Sequence, residues 1–314
     1  LSGGTIVKAR ALNNGEWSAL TEASFIVAPI ADASNIVVSE FSYNPAGTSE
    51  DTEFIELMNI HPTDNIDLSN LTFTGIDYRF PLGVSLGAEE RIVIVKNRSE
   101  FEAAYDTAGM NIAPGDFDSS LSNDGEEIAL IDAFNIDARR FVYNDVSPWP
   151  TSADGAGYTL VLIDPTSSPD HSDPFSWRSS VQPEGSPSGS DGTTFSGDPD
   201  ADVDGDGMSA FLEYVLGSIG GDGQVSPESF PTADTIVFDG NNYLTITYRR
   251  NLAADDVVIE IQTSNDLDSW STLGTTFVSA SNNGDGTETT IHRSLTPLGS
   301  IPREFIRLNL SSRP

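Results

Sequence analysis

The sequence predicts an all-β protein: two antiparallel β-sandwiches joined by an acidic linker that ends in a short helix. Short runs of β-branched and aromatic residues recur along the chain, separated by Gly, Pro, Asn and Asp in turn-forming combinations, which is the pattern of antiparallel strands. Helical periodicity is confined chiefly to Arg98–Tyr105 and Ser209–Leu216. A hydrophobic content of 38% over 314 residues suffices for cores in two or three domains.

The elements follow in order. Thr5-Ile-Val-Lys-Ala-Arg-Ala alternates apolar and polar residues, Gly15-Glu-Trp17-Ser supplies a turn, and Ala23-Ser-Phe25-Ile-Val27 is a second run. Two strands are too few for an independent sheet, so residues 1–28 read as the end of an upstream sandwich. Residues 33–190 form the first full block. Its strands are Ile36-Val-Val38 with Glu40-Phe-Ser-Tyr43, Phe54–Leu57, Leu71–Phe73, Arg91–Val95, Glu127–Ile131, Arg140–Tyr143 and Tyr158–Ile163. The helix at Arg98–Tyr105 interrupts this series, with Ser99 placed to cap it. Ser179–Asp206 is poor in apolar residues and reads as an extended linker, so residues 191–227 form a connecting segment. Residues 228–314 carry a second strand series: Thr235–Phe238, Tyr243–Tyr248, Val257–Ile261, Thr289–Ile291 and Phe305–Leu308. Asn283-Gly284-Asp-Gly286 provides a hairpin turn among them.

Within the connecting segment, Asp202-Val-Asp204-Gly-Asp206-Gly207-Met-Ser-Ala-Phe-Leu-Glu213 matches the calcium-loop pattern D-x-[DN]-x-[DN]-G-x5-E at every specified position. Calcium takes six to eight oxygens. Asp202, Asp204 and Asp206 supply carboxylates, Met208 its backbone carbonyl, and Glu213 a bidentate carboxylate, while Ala210 leaves its position to water. Gly207 stands where the chain turns sharply, and Ser209 is placed to start the helix that carries Glu213. No helix pattern precedes Asp202, so this is half of a helix–loop–helix unit. Asp198 and Asp200 are candidates for a second ion. The competing reading is a solvated acidic turn.

Charge restricts the partners. Asp and Glu number 48 against 15 Lys and Arg, for a net charge of -33, which repels nucleic acids and anionic membranes. From Ser179 to Tyr248 there is no Lys or Arg at all, so a divalent cation is the natural counter-charge there. Without cysteine there is no disulfide framework, thiolate metal site or cysteine nucleophile. No apolar run approaches the roughly 18 residues of a membrane span, and Leu1-Ser-Gly-Gly lacks the features of a signal peptide. The chain begins as though cut from something longer.

Several segments are similar to known families. Ile36-Val-Val-Ser-Glu-Phe-Ser-Tyr-Asn-Pro45, Glu53–Asn59 and Ile66-Asp-Leu68 resemble the opening strands of bacterial lamin-tail domains. Leu121–Ile131, Asp154–Leu160 and Trp177–Pro187 resemble the later blocks in the expected order, over about Asn35–Ser190. The resemblance implies an immunoglobulin-like sandwich without catalytic residues, used as an accessory module of secreted or surface proteins. Thr5–Val27, with Lys8-Ala-Arg10-Ala and Trp17-Ser-Ala, is similar to the final strands of a chitobiase-type carboxy-terminal sandwich. Asp198–Gly217 and the block after Thr235, with Ser264–Trp270 and Phe305–Leu308, resemble the tails of large secreted bacterial proteins.

The remaining candidates divide between chemistry and architecture. Glu40, Glu53 and Glu56 fit paired glycosidase acids or, more simply, rim carboxylates. His61, His171 and His292 occupy no metal motif, and no G-x-S-x-G elbow accompanies them, so they read as surface histidines. Trp149, between prolines, fits a sugar-stacking platform, whereas Trp17, Trp177 and Trp270 read as structural. Arg139-Arg140 and Arg249-Arg250 read as ion-pair partners. Together these point to a non-catalytic, extracellular or cell-surface region that spaces, docks or attaches upstream domains of the same protein, with Ca2+ stiffening its linker. A carbohydrate-binding module that assists a polysaccharide-degrading enzyme on cell-surface or extracellular polysaccharide, and an independent hydrolase, are the alternatives.

Overall fold

The computed structural model describes residues 5–25, 29–47, 49–218 and 230–313. The chain is nearly all β, in antiparallel sheets, as the sequence predicts. The glycines at 220, 221 and 223 and the end of the run at Val27 lie outside the described residues.

Ile36–Ser42 pairs on both edges and lies in the middle of a five-stranded sheet. The order is Arg91–Val95, Phe54–Asn59, Ile36–Ser42, Leu160–Leu162, Trp177–Ser179. A register shift between Val38 and Glu40 leaves Ser39 as an extra residue. Val38 and Phe41 therefore both face the core, opposite Leu57 and Ile55, although they are three residues apart. Asp137–Val142, Glu127–Ile131, Thr72–Thr74 and Tyr78–Arg79 form a second sheet. Residues from both sheets meet in one buried core, where Phe41 sits edge-on to Trp177 at 5.2 Å and Phe141 stacks on Trp177 at 5.9 Å. This is the immunoglobulin-like sandwich.

The outer face of the five-stranded sheet is covered as well. The helix Arg98–Ala104 lays Phe101 against Phe54, with ring centroids 5.8 Å apart. Its cap is Asn97, not Ser99: Asn97 keeps the extended backbone of the preceding strand and accepts the N–H of Glu100, which places Ser99 inside the first turn.

The second block is a four-stranded sheet, Thr232–Phe238, Asn241–Asn251, Thr287–Pro297, Thr275–Asn282, with the pair Val257–Ser264 and Phe305–Ser312 alongside. Ile246, Tyr248 and Ile261 form its core. The hairpin closes at Asn283, whose N–H reaches Thr287 O at 2.9 Å. The sequence does not signal the strand Thr275–Asn282, because this half-buried, Ser- and Thr-rich stretch lacks an apolar run. At the N-terminus, Thr5–Ala9 pairs with Thr21–Phe25 and a small hairpin links them.

Ser179–Asp206 is not a free linker over its whole length. The reason is Arg178, a fully buried guanidinium. Its Nε and Nη2 donate to the two oxygens of Asp255 at 2.6 and 2.7 Å, and Nη1 donates to Asp191 at 2.5 Å. The sandwich, the segment after it and the second block are thereby joined at one ion. We predict that Arg178→Ala, which strands two carboxylates, destabilises the protein by about 3–5 kcal/mol. In calorimetry the variant should show the two blocks melting apart. An unchanged melting profile would refute this account of the junction.

Candidate functional site

The calcium-pattern loop is shaped by its own aspartates. Asp202 accepts the N–H groups of Gly205 and Gly207 on its two oxygens, at 2.8 and 3.1 Å, and Asp206 accepts that of Met208 at 2.7 Å. Gly207 has φ +94°, a conformation that side chains disfavour. The carboxylates of Asp202, Asp204 and Asp206 each offer an oxygen within 4.8 Å of the others. Asp198 and Asp200 are outside that group.

The loop is closed at its base, since Ala210 N–H reaches Ala201 O at 2.7 Å. Ser209 caps the helix Ala210–Leu216, accepting the Leu212 N–H, and Gly217 ends it in the left-handed region. Met208, Val215 and Leu216 pack with Val257 in a buried cluster, so the helix belongs to the core of the second block. Glu213 is buried on that helix, outside the group of three aspartates. Tyr214 hydroxyl donates to Asp256 at 2.6 Å, and Phe195 packs edge-on against Phe211 at 5.2 Å.

The three glutamates are placed differently from the expectation of rim positions. Glu40 and Glu56 are paired across adjacent strands on the outer face, and both are buried. The chain after Gln182 folds over them, so that Ser186 N–H donates to Glu40 at 2.9 Å and Ser188 N–H donates to Glu56. Thr159 and Ser39 hydroxyls supply further donors, at 2.7 and 2.6 Å, and Arg91 lies 3.2 Å from Glu56. A Cβ at Gly185 would collide with the Glu40 carboxylate, so glycine is required there. Burial raises the pKa of both acids, and the facing Glu56 raises that of Glu40 further. The cavity beside them, about 30 Å³, has room for one water molecule and not for a substrate. Glu53 is a separate case. It accepts the Leu121 N–H at 2.8 Å and faces Lys96 at 3.3 Å, yet burial still pushes it up to about 7.

His171 is not a surface residue. Its Nε2 accepts the Val38 N–H at 3.2 Å, and burial holds its pKa down at about 4. His61 and His292 are both half-buried, and His292 is stacked on Tyr248. No triad or metal set joins the three. Arg140, Arg249 and Arg250 do form ion pairs, with Glu127 and Asp137, Asp285, and Glu288 respectively. Arg139 instead donates to the carbonyls of Ile36 and Ala33. Trp149 is no exposed platform; it is 8% exposed and packs 6.3 Å from Trp177.

Residues 29–145 match the family model of the Lamin Tail Domain. The sandwich continues past that match, because Leu160–Leu162 and Trp177–Ser179 complete its five-stranded sheet. Such an immunoglobulin-like domain is compatible with a non-catalytic accessory role. No curated protein and no solved structure matches the chain. Among the described residues no helix is long and apolar enough to cross a membrane.

The buried Glu53 makes stability pH-dependent. Its folded pKa of about 7 stands above its ordinary 4.5, so its contribution is fully present below about pH 4.5 and is lost as pH rises through 7. His171, depressed to about 4, works in the opposite sense, losing its contribution as pH falls below its ordinary 6.5. Comparison with Glu53→Gln cancels the histidine effect. The variant should lose less stability than the wild type between pH 5 and 7.5 in urea titrations. Parallel pH profiles would contradict the assignment.

Proposed function

We propose that this chain is a non-catalytic accessory region of a larger secreted or cell-surface bacterial protein, and that it spaces or docks the upstream domains of that protein. A calcium ion bound by Asp202, Asp204, Asp206 and Glu213, with the Met208 carbonyl, stiffens the junction between its two blocks. The observation that carries this reading is the convergence of three aspartate carboxylates on a loop whose exit helix is built into the second core.

Those carboxylates repel one another, and a divalent cation relieves the repulsion with the hard oxygen ligands it prefers. The Ser209 cap starts the helix whose first turn carries Glu213, the last residue of the calcium pattern. A net charge of -33 suits a salty, calcium-containing exterior, where screening acts within roughly 8–10 Å. The lamin-tail match favours an accessory role over a hydrolase, as does the sealing of Glu40 and Glu56 beneath the chain.

Calorimetric titration of the whole chain with calcium is the test. The wild type should bind one ion, and at a hundredfold excess over Kd the folded state should gain about 2.7 kcal/mol. Asp206→Ala and Glu213→Gln should each reduce affinity at least tenfold. If the wild type does not bind at millimolar calcium, or if both variants bind as it does, the loop is only an acidic turn.

A further inference from the structure

A cleft of about 350 Å³ separates the lamin-tail sandwich from the four-stranded sheet. That volume is at the lower end of the roughly 300–1,000 Å³ typical of ligand sites, which often form between domains. Both sides contribute aromatic rings. Phe175 comes from the sandwich and the half-buried Phe277 and His292 from the sheet, while Trp149 and Tyr248, also in the lining, are buried. Phe175 meets Phe277 edge-to-face across the junction at 5.4 Å. Phe175 is 56% exposed, which leaves an open aromatic surface at the mouth.

The polar groups in this cleft are donors left over after local pairing. Arg250 uses Nε to bind Glu288 at 2.6 Å, and its two terminal nitrogens make no hydrogen bond among the described residues. Asn282 accepts the Gly284 N–H at 2.7 Å with its oxygen, but its Nδ2 is buried without a partner. A buried orphan donor costs about 1–3 kcal/mol, and a ligand oxygen there removes that cost. The other two arginines along the wall are already engaged. Arg178 is taken up by Asp191 and Asp255, and Arg313 donates to the carbonyls of Asp255 and Val257.

Charge narrows the ligand class. Arg250 is neutralised by Glu288, Arg178 faces two aspartates and Arg313 lies 3.9 Å from Asp164, so the cleft offers donors without a net positive field. In a chain of net charge -33 an anion has nothing here to compensate its approach. A neutral molecule with a flat apolar face and several acceptor oxygens satisfies both the rings and the donors. We propose that this cleft binds a neutral sugar, a mono- or disaccharide unit, with its C–H face on the aromatic wall and its hydroxyl oxygens on Arg250 and Asn282. The site is independent of the calcium loop.

The test is saturation-transfer NMR on the whole calcium-loaded chain. The probes are glucose, galactose, mannose, xylose, cellobiose, maltose and lactose, with glucuronate and galacturonate as the anionic arm. At least one neutral sugar should show transfer, and its titration should give a Kd weakened about tenfold by Asn282→Ala, the scale of one lost hydrogen bond. Phe175→Ala, at an exposed position, should weaken the same sugar by a similar factor. Absence of transfer from every neutral sugar at about 10 mM, binding of the uronates alone, or affinity unchanged in both variants overturns the proposal.

Discussion

The buried guanidinium of Arg178 dictates how much of this chain is arranged. A cation taken out of water is tolerated only when its donors are met, and here they are met by Asp255, Asp191 and the Ser179 carbonyl. Asp191 in turn accepts the Val181 N–H and the Ser186 hydroxyl, at 2.8 and 2.5 Å. The segment after the last sandwich strand therefore folds back on itself instead of running away from the sheet. Its return brings the N–H groups of Ser186 and Ser188 over Glu40 and Glu56, and Asp255 holds the second block against the same point.

The acidic residues of the chain divide by solvent access into two chemistries. Glu40 and Glu56, sealed by that returning segment, hold protons more tightly and act as hydrogen-bonded parts of the architecture. Asp202, Asp204 and Asp206 lie on a loop at the surface, where their carboxylates converge within 4.8 Å of one another. Residue type is the same in both places. Burial converts one set to structure, while the other stays partly open to solvent.

The loop also differs from a flexible acidic spacer in its attachment. Met208, Val215 and Leu216 anchor its exit to Val257, and Phe195, Tyr214 and Asp256 tie its approach to the second block. Order imposed at the loop is thus passed directly into a packed core, and the cleft beside Arg178 lies at the same junction of the two blocks.

Local patterning determined the strands, the turns, the helix Ala210–Leu216 with its Ser209 cap, and the aspartate spacing of the calcium-pattern loop. Each depends on neighbours a few residues apart: apolar alternation, glycine at a left-handed position, or a hydroxyl before the first turn. The lamin-tail resemblance was legible for the same reason, in consecutive strand blocks. Other features depended on partners remote in the chain. Glu40 read as a rim residue because nothing local shows Ser186 arriving above it, 146 positions later. His171 read as exposed because its acceptor nitrogen is claimed by Val38, 133 positions away. Ser39 as an extra residue, Arg178 as a junction, and the orphaned Asn282 amide in the cleft likewise came only from tertiary structure. Sequence periodicity reports which face a side chain takes, whereas burial, ionisation and convergence are set by whatever distant segment covers that face.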